Sequence, residues 1–266
     1  MAASVNEAYS VFAQVYDDFM EDVPYGEWAD FLIKYLADKG VRDGLVLDLG
    51  CGSGKILSLL KEHGGFDMIG LDSSEEMLRI ARDKEPDALY LCQDMRSFEL
   101  YGTVNAIVSV CDSINYITEK EELLGLFKLA NNYLEAGGYF IFDLNTVYKY
   151  KYELADNTFA EDKEDKAFIW DNFFDEESGI NEYLLTLFLG EDGVFKRFQE
   201  IHYERAYTLK EIAQLLQEAG MEFVEAFAGY TREKIGPGDD EDLDRAIDRM
   251  VIVAREKRQE GKLYVD

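Results

Sequence analysis

From residue 28 onward, apolar and polar positions alternate between two rhythms. Residues 28–36 carry Trp28, Phe31, Leu32, Tyr35 and Leu36 at the three-to-four spacing of a helix face, and the pattern stops at Gly40. The next apolar run, L-V-L-D-L at 45–49, is short and reads as a strand. The same alternation continues with a helix over about 53–63 closed by Gly64-Gly65, and a strand over 68–71. A helix over 74–84 is followed by strands over 88–92 and 106–110, and a helix over 119–134 leads through Gly137-Gly138 into a strand over 139–142. Short continuous apolar runs separated by helices belong to a parallel sheet covered on both faces, so the pattern predicts a doubly wound α/β domain.

The rhythm breaks at 146–207. Three stretches there, 168–174, 183–189 and 195–203, are rich in aromatic and branched residues, and E-E-S-G at 176–179 and E-D-G at 191–193 separate them. Acidic-Gly connections between β-prone runs are hairpin signals, which predicts a small antiparallel sheet inserted into the α/β domain. Thr208 with Glu211 three residues on has the form of a capping box, opening a helix that runs to Gly220. Strands over 222–227 and 250–254 restore the first layer. The expected division is therefore one domain from 1–145 and 208–266, interrupted by 146–207.

The most informative segment is D-L-G-C-G-S-G at 48–54, where a strand ends in Asp48 and three alternating glycines lead into a helix. Gly50, Gly52 and Gly54 let the backbone turn tightly and let a ligand approach the main chain at a helix N-terminus. A dinucleotide fingerprint needs glycine at 55, where Lys stands, which also disfavours a dehydrogenase. A phosphate-binding P-loop needs glycine at 49 and Ser or Thr at 56, where Leu and Ile stand. The second strand ends in Asp72, placed to accept both hydroxyls of a ribose, and the third ends in C-Q-D-M at 92–95, which offers Asp94 to an adenine amino group and Met95 to its ring face.

D-L-G-C-G-S-G, G-L-D-S-S at 70–74 and Q-D-M at 93–95 together resemble the class I S-adenosylmethionine-dependent methyltransferases. The resemblance spans about 26–145 and 208–255. It implies a Rossmann-like seven-stranded sheet whose last strand, here 250–254, is antiparallel, and S-adenosyl-L-methionine as cofactor. It also implies that Gly50, Cys51, Gly52 and Gly54 cradle the amino-acid end, with Asp48 beneath the loop. Asp72 and Ser73 then take the ribose, and Met77, Gln93, Asp94 and Met95 surround the adenine. The N-terminal segment, with Tyr9, Tyr16, Tyr25 and Trp28, resembles the leading helix of a small-molecule subgroup that includes aminosugar N-methyltransferases. In that subgroup the helix closes over the cofactor, which implies cofactor contacts for Tyr9, Tyr16 and Trp28. Phe12 and Phe19 read instead as an apolar stripe.

Methyl transfer is an in-line displacement that needs alignment and exclusion of water rather than a nucleophile-base-acid set. Residues that follow strands four and five lie at the same sheet edge as the glycine loop: Cys111, Asp112, Asn115 and Tyr116, then Asp143 and Asn145. Asp112 and Asp143 are candidates to attract a cationic amine, and Asn115, Asn145 and Tyr116 to orient it. The inserted sheet, which emerges beside this edge with Phe168, Trp170, Phe174, Tyr183 and Tyr203, either covers the acceptor pocket or makes a homodimer. The lid is the favoured expectation.

Composition narrows the partners. Lys and Arg number 27 against 55 Asp and Glu, a formal charge of −28. Such a surface repels phosphate backbones and anionic lipid, so neither nucleic acid nor membrane is expected as a partner. Three cysteines without C-x-x-C spacing and two histidines far apart oppose a disulfide framework or a metal centre. The acidic clusters at 161–165 and 239–242 read as solvated loops. No apolar run reaches the length of a spanning helix, and the N-terminal residues lack a leader pattern, which together suggest a cytoplasmic protein. The expected function is methyl transfer to a small-molecule amine or hydroxyl; a cofactor-binding scaffold without catalysis is the alternative.

Overall fold

The computed structural model describes residues 9, 11–191, 193–241 and 244–257. After a 3-10 turn at Phe12–Gln14 come α1 (Tyr16–Phe19), α2 (Tyr25–Asp38), β1 (Leu45–Leu49), α3 (Lys55–Leu59), β2 (Asp67–Asp72), α4 (Glu75–Lys84), β3 (Leu89–Cys92) and β4 (Val104–Ser109). Then follow α5 (Lys120–Tyr133), β5 (Leu134–Asn145), β6 (Thr158–Lys163), β7 (Lys166–Asp175), β8 (Ile180–Glu191) and β9 (Val194–Arg205). The chain continues through α6 (Leu209–Glu218), β10 (Met221–Ala228), β11 (Lys234–Ile235) and β12 (Arg249–Glu256).

Eight strands form the main sheet in the order β11-β10-β12-β5-β4-β1-β2-β3. Pairings among β1 to β5 are parallel, and β12 runs antiparallel between β5 and β10. The seven expected strands are present, and the eighth is the two-residue edge β11. Alternate residues of each strand feed opposite layers, as the period of two requires. Leu47, Ile107, Phe140, Phe142 and Ile252 pack under α5 and α6 with Phe127, Ile212 and Leu216. Val46, Val108, Ile141, Val251 and Val253 pack under α2 and α3 with Phe31, Leu32, Leu36, Ile56 and Leu57. Burial on both faces explains why these strands read as continuous apolar runs.

A second sheet, β6-β7-β8-β9, is antiparallel throughout. It holds four strands where three were expected, because residues 158–163 pair with β7 and end in the hairpin turn at 164–165. Within 161–165, expected as a solvated loop, Glu161, Asp162 and Lys163 belong to an edge strand, where charge discourages further pairing, and Glu164 and Asp165 form the turn. The 239–242 cluster differs as well: Asp240 is buried and accepts the Leu209 amide at 2.8 Å, satisfying a donor at the start of α6. Asp242 lies outside the described residues. The Thr208–Glu211 capping box forms as expected. The N-terminal segment is two short helical pieces rather than one leading helix. Among the described residues no helix is long and apolar enough to cross a membrane.

Candidate active site

A cavity of about 290 Å3 opens at the carboxyl ends of β1, β2 and β4, lined by the glycine loop, the start of α4, the β3–β4 connection and the N-terminal segment. Gly52 has a positive φ of 52°, and a Cβ there would meet nothing within 4 Å, so its face is open for a ligand. Gly54 serves packing instead: a Cβ would come within 2.9 Å of Ala81 in α4. Asp72 accepts the Gly52 amide at 2.8 Å and the Ser74 amide at 2.9 Å, tying the glycine loop to the start of α4. Burial raises its carboxyl, and those amides oppose the rise. Asp48 lies on the cavity floor, and among the described residues neither of its oxygens has a hydrogen-bond partner. Its burial, reinforced by Asp72, pushes the carboxyl up to about 7. An orphaned buried acid beside an open glycine face suits a ligand that brings its own positive charge and donors.

Tyr9, Tyr16, Asp48, Gly50, Cys51, Gly52, Asp72, Ser73, Met77, Gln93, Asp94, Met95, Cys111 and Tyr116 all face this cavity. Asp94 is engaged on both oxygens by Arg96, at 2.6 to 3.0 Å, and that contact holds its carboxyl below the usual range. Gln93 pairs with both backbone groups of Glu99. Trp28 does not reach the cavity. It stacks on Tyr230 at 4.7 Å with the Arg249 guanidinium 5.1 Å from its ring centre, and Tyr25 occupies the cavity wall in its place.

Three acceptor-side candidates turn out to be framework. Asp143 is fully buried and accepts the amides of Cys111 and Asp112 at 3.1 and 2.7 Å, the Tyr230 hydroxyl at 2.7 Å and Arg249 at 2.8 Å. Cys111 and Asp112 both have left-handed backbones, φ 60° and 55°, a costly pair for residues with side chains. The Asp143 carboxylate holds that strained turn, and Arg249 also binds Asp112 at 2.7 Å. Asn115 is fully buried and bonded to the backbone of Asn145 and Arg205. Asp143, Asp112 and Asn115 thus shape the loop, while Cys111 and Tyr116 face the cavity.

A polar cluster that sequence reasoning missed closes the other side. The Tyr116 hydroxyl meets Tyr9 Oη at 2.8 Å, Tyr183 Oη at 2.7 Å and His202 Nδ1 at 2.9 Å. Tyr183 stacks on the His202 ring at 4.5 Å. Glu200 accepts the amides of Tyr9, Val11 and Phe12 at 2.7 to 3.0 Å; burial raises its carboxyl, but His202 and the Phe12 and Val11 amides outweigh that and hold it below the usual range. The Tyr9 carbonyl accepts from Ser74, and Asp17 accepts from Ser53 at 2.6 Å, so the N-terminal segment is strapped to both sheets. Glu204, bonded to Tyr150 at 2.9 Å, has its carboxyl pushed up by burial and by Asp112. The overlooked signal was Glu200, His202 and Glu204 at alternate positions of β9: a strand with its polar residues facing inward.

The chain matches the methyltransferase domain family over residues 46–138. The methyltransferase-named protein YqeM of Bacillus subtilis is 35% identical over 229 residues, covering 84% of this chain and 90% of its own. A solved S-adenosylmethionine-dependent methyltransferase from Clostridium acetobutylicum has a TM-score of 0.81 at 28% identity, over 95% of this chain and 100% of its own. The chain belongs to the class I S-adenosylmethionine-dependent methyltransferases. Its cofactor is S-adenosylmethionine, which when bound supplies an electrophilic methyl carbon on a sulfonium. The methyltransferase is also similar to dTDP-3-amino-3,4,6-trideoxy-alpha-D-glucopyranose N,N-dimethyltransferase of Streptomyces venezuelae, 35% identical over 129 residues, 47% of this chain and 54% of that one.

Proposed function

We propose that the methyltransferase acts on a small-molecule amine, with an amino sugar as the favoured class and a hydroxyl acceptor second. The observation that carries this reading is the cavity wall formed by Tyr9 and Tyr116, whose hydroxyls hydrogen-bond each other at 2.8 Å. Such a wall offers hydrogen bonds to the hydroxyls and the amine of an amino sugar. The amino-sugar relative supports the same class. The formal charge of −28 opposes a nucleic-acid acceptor.

On this reading Gly50, Cys51 and Gly52 present backbone to the amino-acid end of the cofactor, Asp72 with Ser73 takes the ribose, and Met77, Gln93 and Met95 enclose the adenine. Asp94 shares its carboxylate between Arg96 and the adenine edge. The N-terminal strap and the inner face of β7–β9, packed together through Val15, Phe19, Phe168, Trp170 and Tyr183, exclude water from the acceptor. The inserted sheet is then a lid, with Tyr203 alone among its expected aromatics well exposed.

The test is methyl transfer from labelled S-adenosylmethionine to a dTDP-3-amino-sugar, with the 3-hydroxy analogue in parallel. Label on the amine and little on the hydroxyl is expected. Bound cofactor without transfer to any amino sugar would overturn the reading.

A further inference from the structure

The Tyr116 cluster contains two fully buried side chains, His202 and Glu200, that alignment of a methyl group does not require. We propose that Tyr116, His202 and Glu200 form a relay that removes the proton from the acceptor nitrogen, with Tyr116 touching the acceptor and His202 acting through it. The proposal rests on the amine reading above.

Hydrogen counting permits the direction of the relay, and the position of Glu200 selects it. A tyrosine hydroxyl has one hydrogen to give and two lone pairs, and Tyr116 Oη has three partners. All three are satisfied when Tyr116 donates to His202 Nδ1 and accepts from Tyr9 and Tyr183. Nδ1 is then bare and Nε2 carries the hydrogen. Nε2 is the atom that lies 3.4 Å from Glu200 Oε2, a charge contact outside hydrogen-bond geometry, where the opposite tautomer would set a lone pair against a carboxylate. Glu200 also accepts three amides of the strap, so docking of the N-terminal segment places the carboxylate beside the ring.

The proton balance closes. As the C–N bond forms and the C–S bond breaks with its electron pair going to sulfur, a neutral amine becomes a methylammonium. The acceptor nitrogen takes the place of the Tyr9 hydroxyl at Tyr116 Oη, which frees one oxygen lone pair; one of its protons passes to Tyr116 Oη while the Tyr116 proton passes to His202 Nδ1, leaving a neutral methylamine and an imidazolium beside Glu200. Burial pushes the Tyr116 hydroxyl well above the ordinary phenol range, so it conducts the proton without standing as a phenolate. The groups that face His202 are Tyr183 from β8, Tyr116 from the loop after β4, Tyr9 from the strap and Glu200 on its own strand. Glu204 lies farther along β9, and Asp112 is paired with Arg249.

The chain has only two histidines, and His63 is exposed, so 15N-histidine NMR of the full-length protein resolves His202 without any acceptor. The expected result at pH 8 is an Nε2–H tautomer whose Nδ1 signal moves toward the unbonded position in Tyr116→Phe. An Nδ1–H tautomer, or an imidazolium, overturns the relay. With the dTDP-3-amino-sugar as acceptor, His202→Gln, checked by its cofactor binding, should lower kcat by about 100-fold, the low end for a positioned proton-transfer group, with KM within about threefold. Unchanged kcat overturns the proposal. No turnover with any amine strikes the acceptor reading instead, and the tautomer then decides whether the histidine is poised as described.

Discussion

The cofactor wall and the acceptor wall of the same cavity are built over different sequence distances. On the cofactor side, Gly52 meets Asp72 across 20 residues, and Ser74 caps the Met77 amide across three. On the acceptor side, Tyr9 meets Glu200 across 191 residues, and Tyr116 meets His202 across 86. The first wall is a set of loop and helix-end geometries that each need only a few neighbouring residues. The second is a polar network that exists only when the strap, the β4 loop and the inserted sheet have met. Local geometry should therefore fail abruptly at single backbone positions, and the network should fail in proportion to the charge left unpaired.

The largest effect expected is at Gly52. Gly52→Val fills the open face of the loop, so calorimetry should detect no S-adenosylmethionine binding, while circular dichroism stays native; retained micromolar affinity would show that the loop face is not the ligand face. Next is the clamp beneath the acceptor loop. Arg249→Met strands the buried Asp143 carboxylate and should cost about 3–5 kcal/mol in denaturant unfolding, the range for breaking a buried ion pair. A loss under about 1 kcal/mol would mean the left-handed turn at Cys111 and Asp112 needs no clamp.

Asp48 sharpens the contrast through pH. Its carboxyl stands near 7 in the folded protein against an ordinary value of 3.8. The unfolded chain therefore ionises first, so stability of the cofactor-free protein should fall as pH rises from about 4 to about 7 and level off above that. Asp48→Asn should remove this slope and add at most about 4 kcal/mol at pH 8, with unfolding followed across pH as the check. Asp72→Ala should weaken cofactor binding by about 1–3 kcal/mol for a lost charge-assisted hydrogen bond, read by calorimetry. The smallest expected effect is none: gel shifts with transfer or ribosomal RNA fragments at moderate salt should show no retained complex.

Legibility followed the same divide. The strand runs at 45–49 and 68–71, the capping box at Thr208 and the glycine loop were readable because each is set by neighbours within a turn or a strand. Trp28 was misjudged because its residue type suits both a ring cradle and the Tyr230–Arg249 stack, and nothing nearby in sequence distinguishes them. Asp143 was misjudged for a related reason: a carboxylate at a strand end looks the same whether it faces a ligand or two strained amides. The fourth strand of the inserted sheet was hidden because an edge strand carries charge and lacks a clean apolar alternation.

The sequence by itself determined the α/β layer, the glycine loop and the acid at 72, because periodicity, helix caps and tight turns are short-range consequences of residue type. Only the tertiary structure decided that His202, Glu200, Tyr183 and Tyr9 share one network and that Arg249 is its neighbouring clamp. Buried polar groups are selected by the partners that satisfy them, and the hydrogen bonds that Tyr9 and Tyr116 make in this network span 67 to 191 residues of chain.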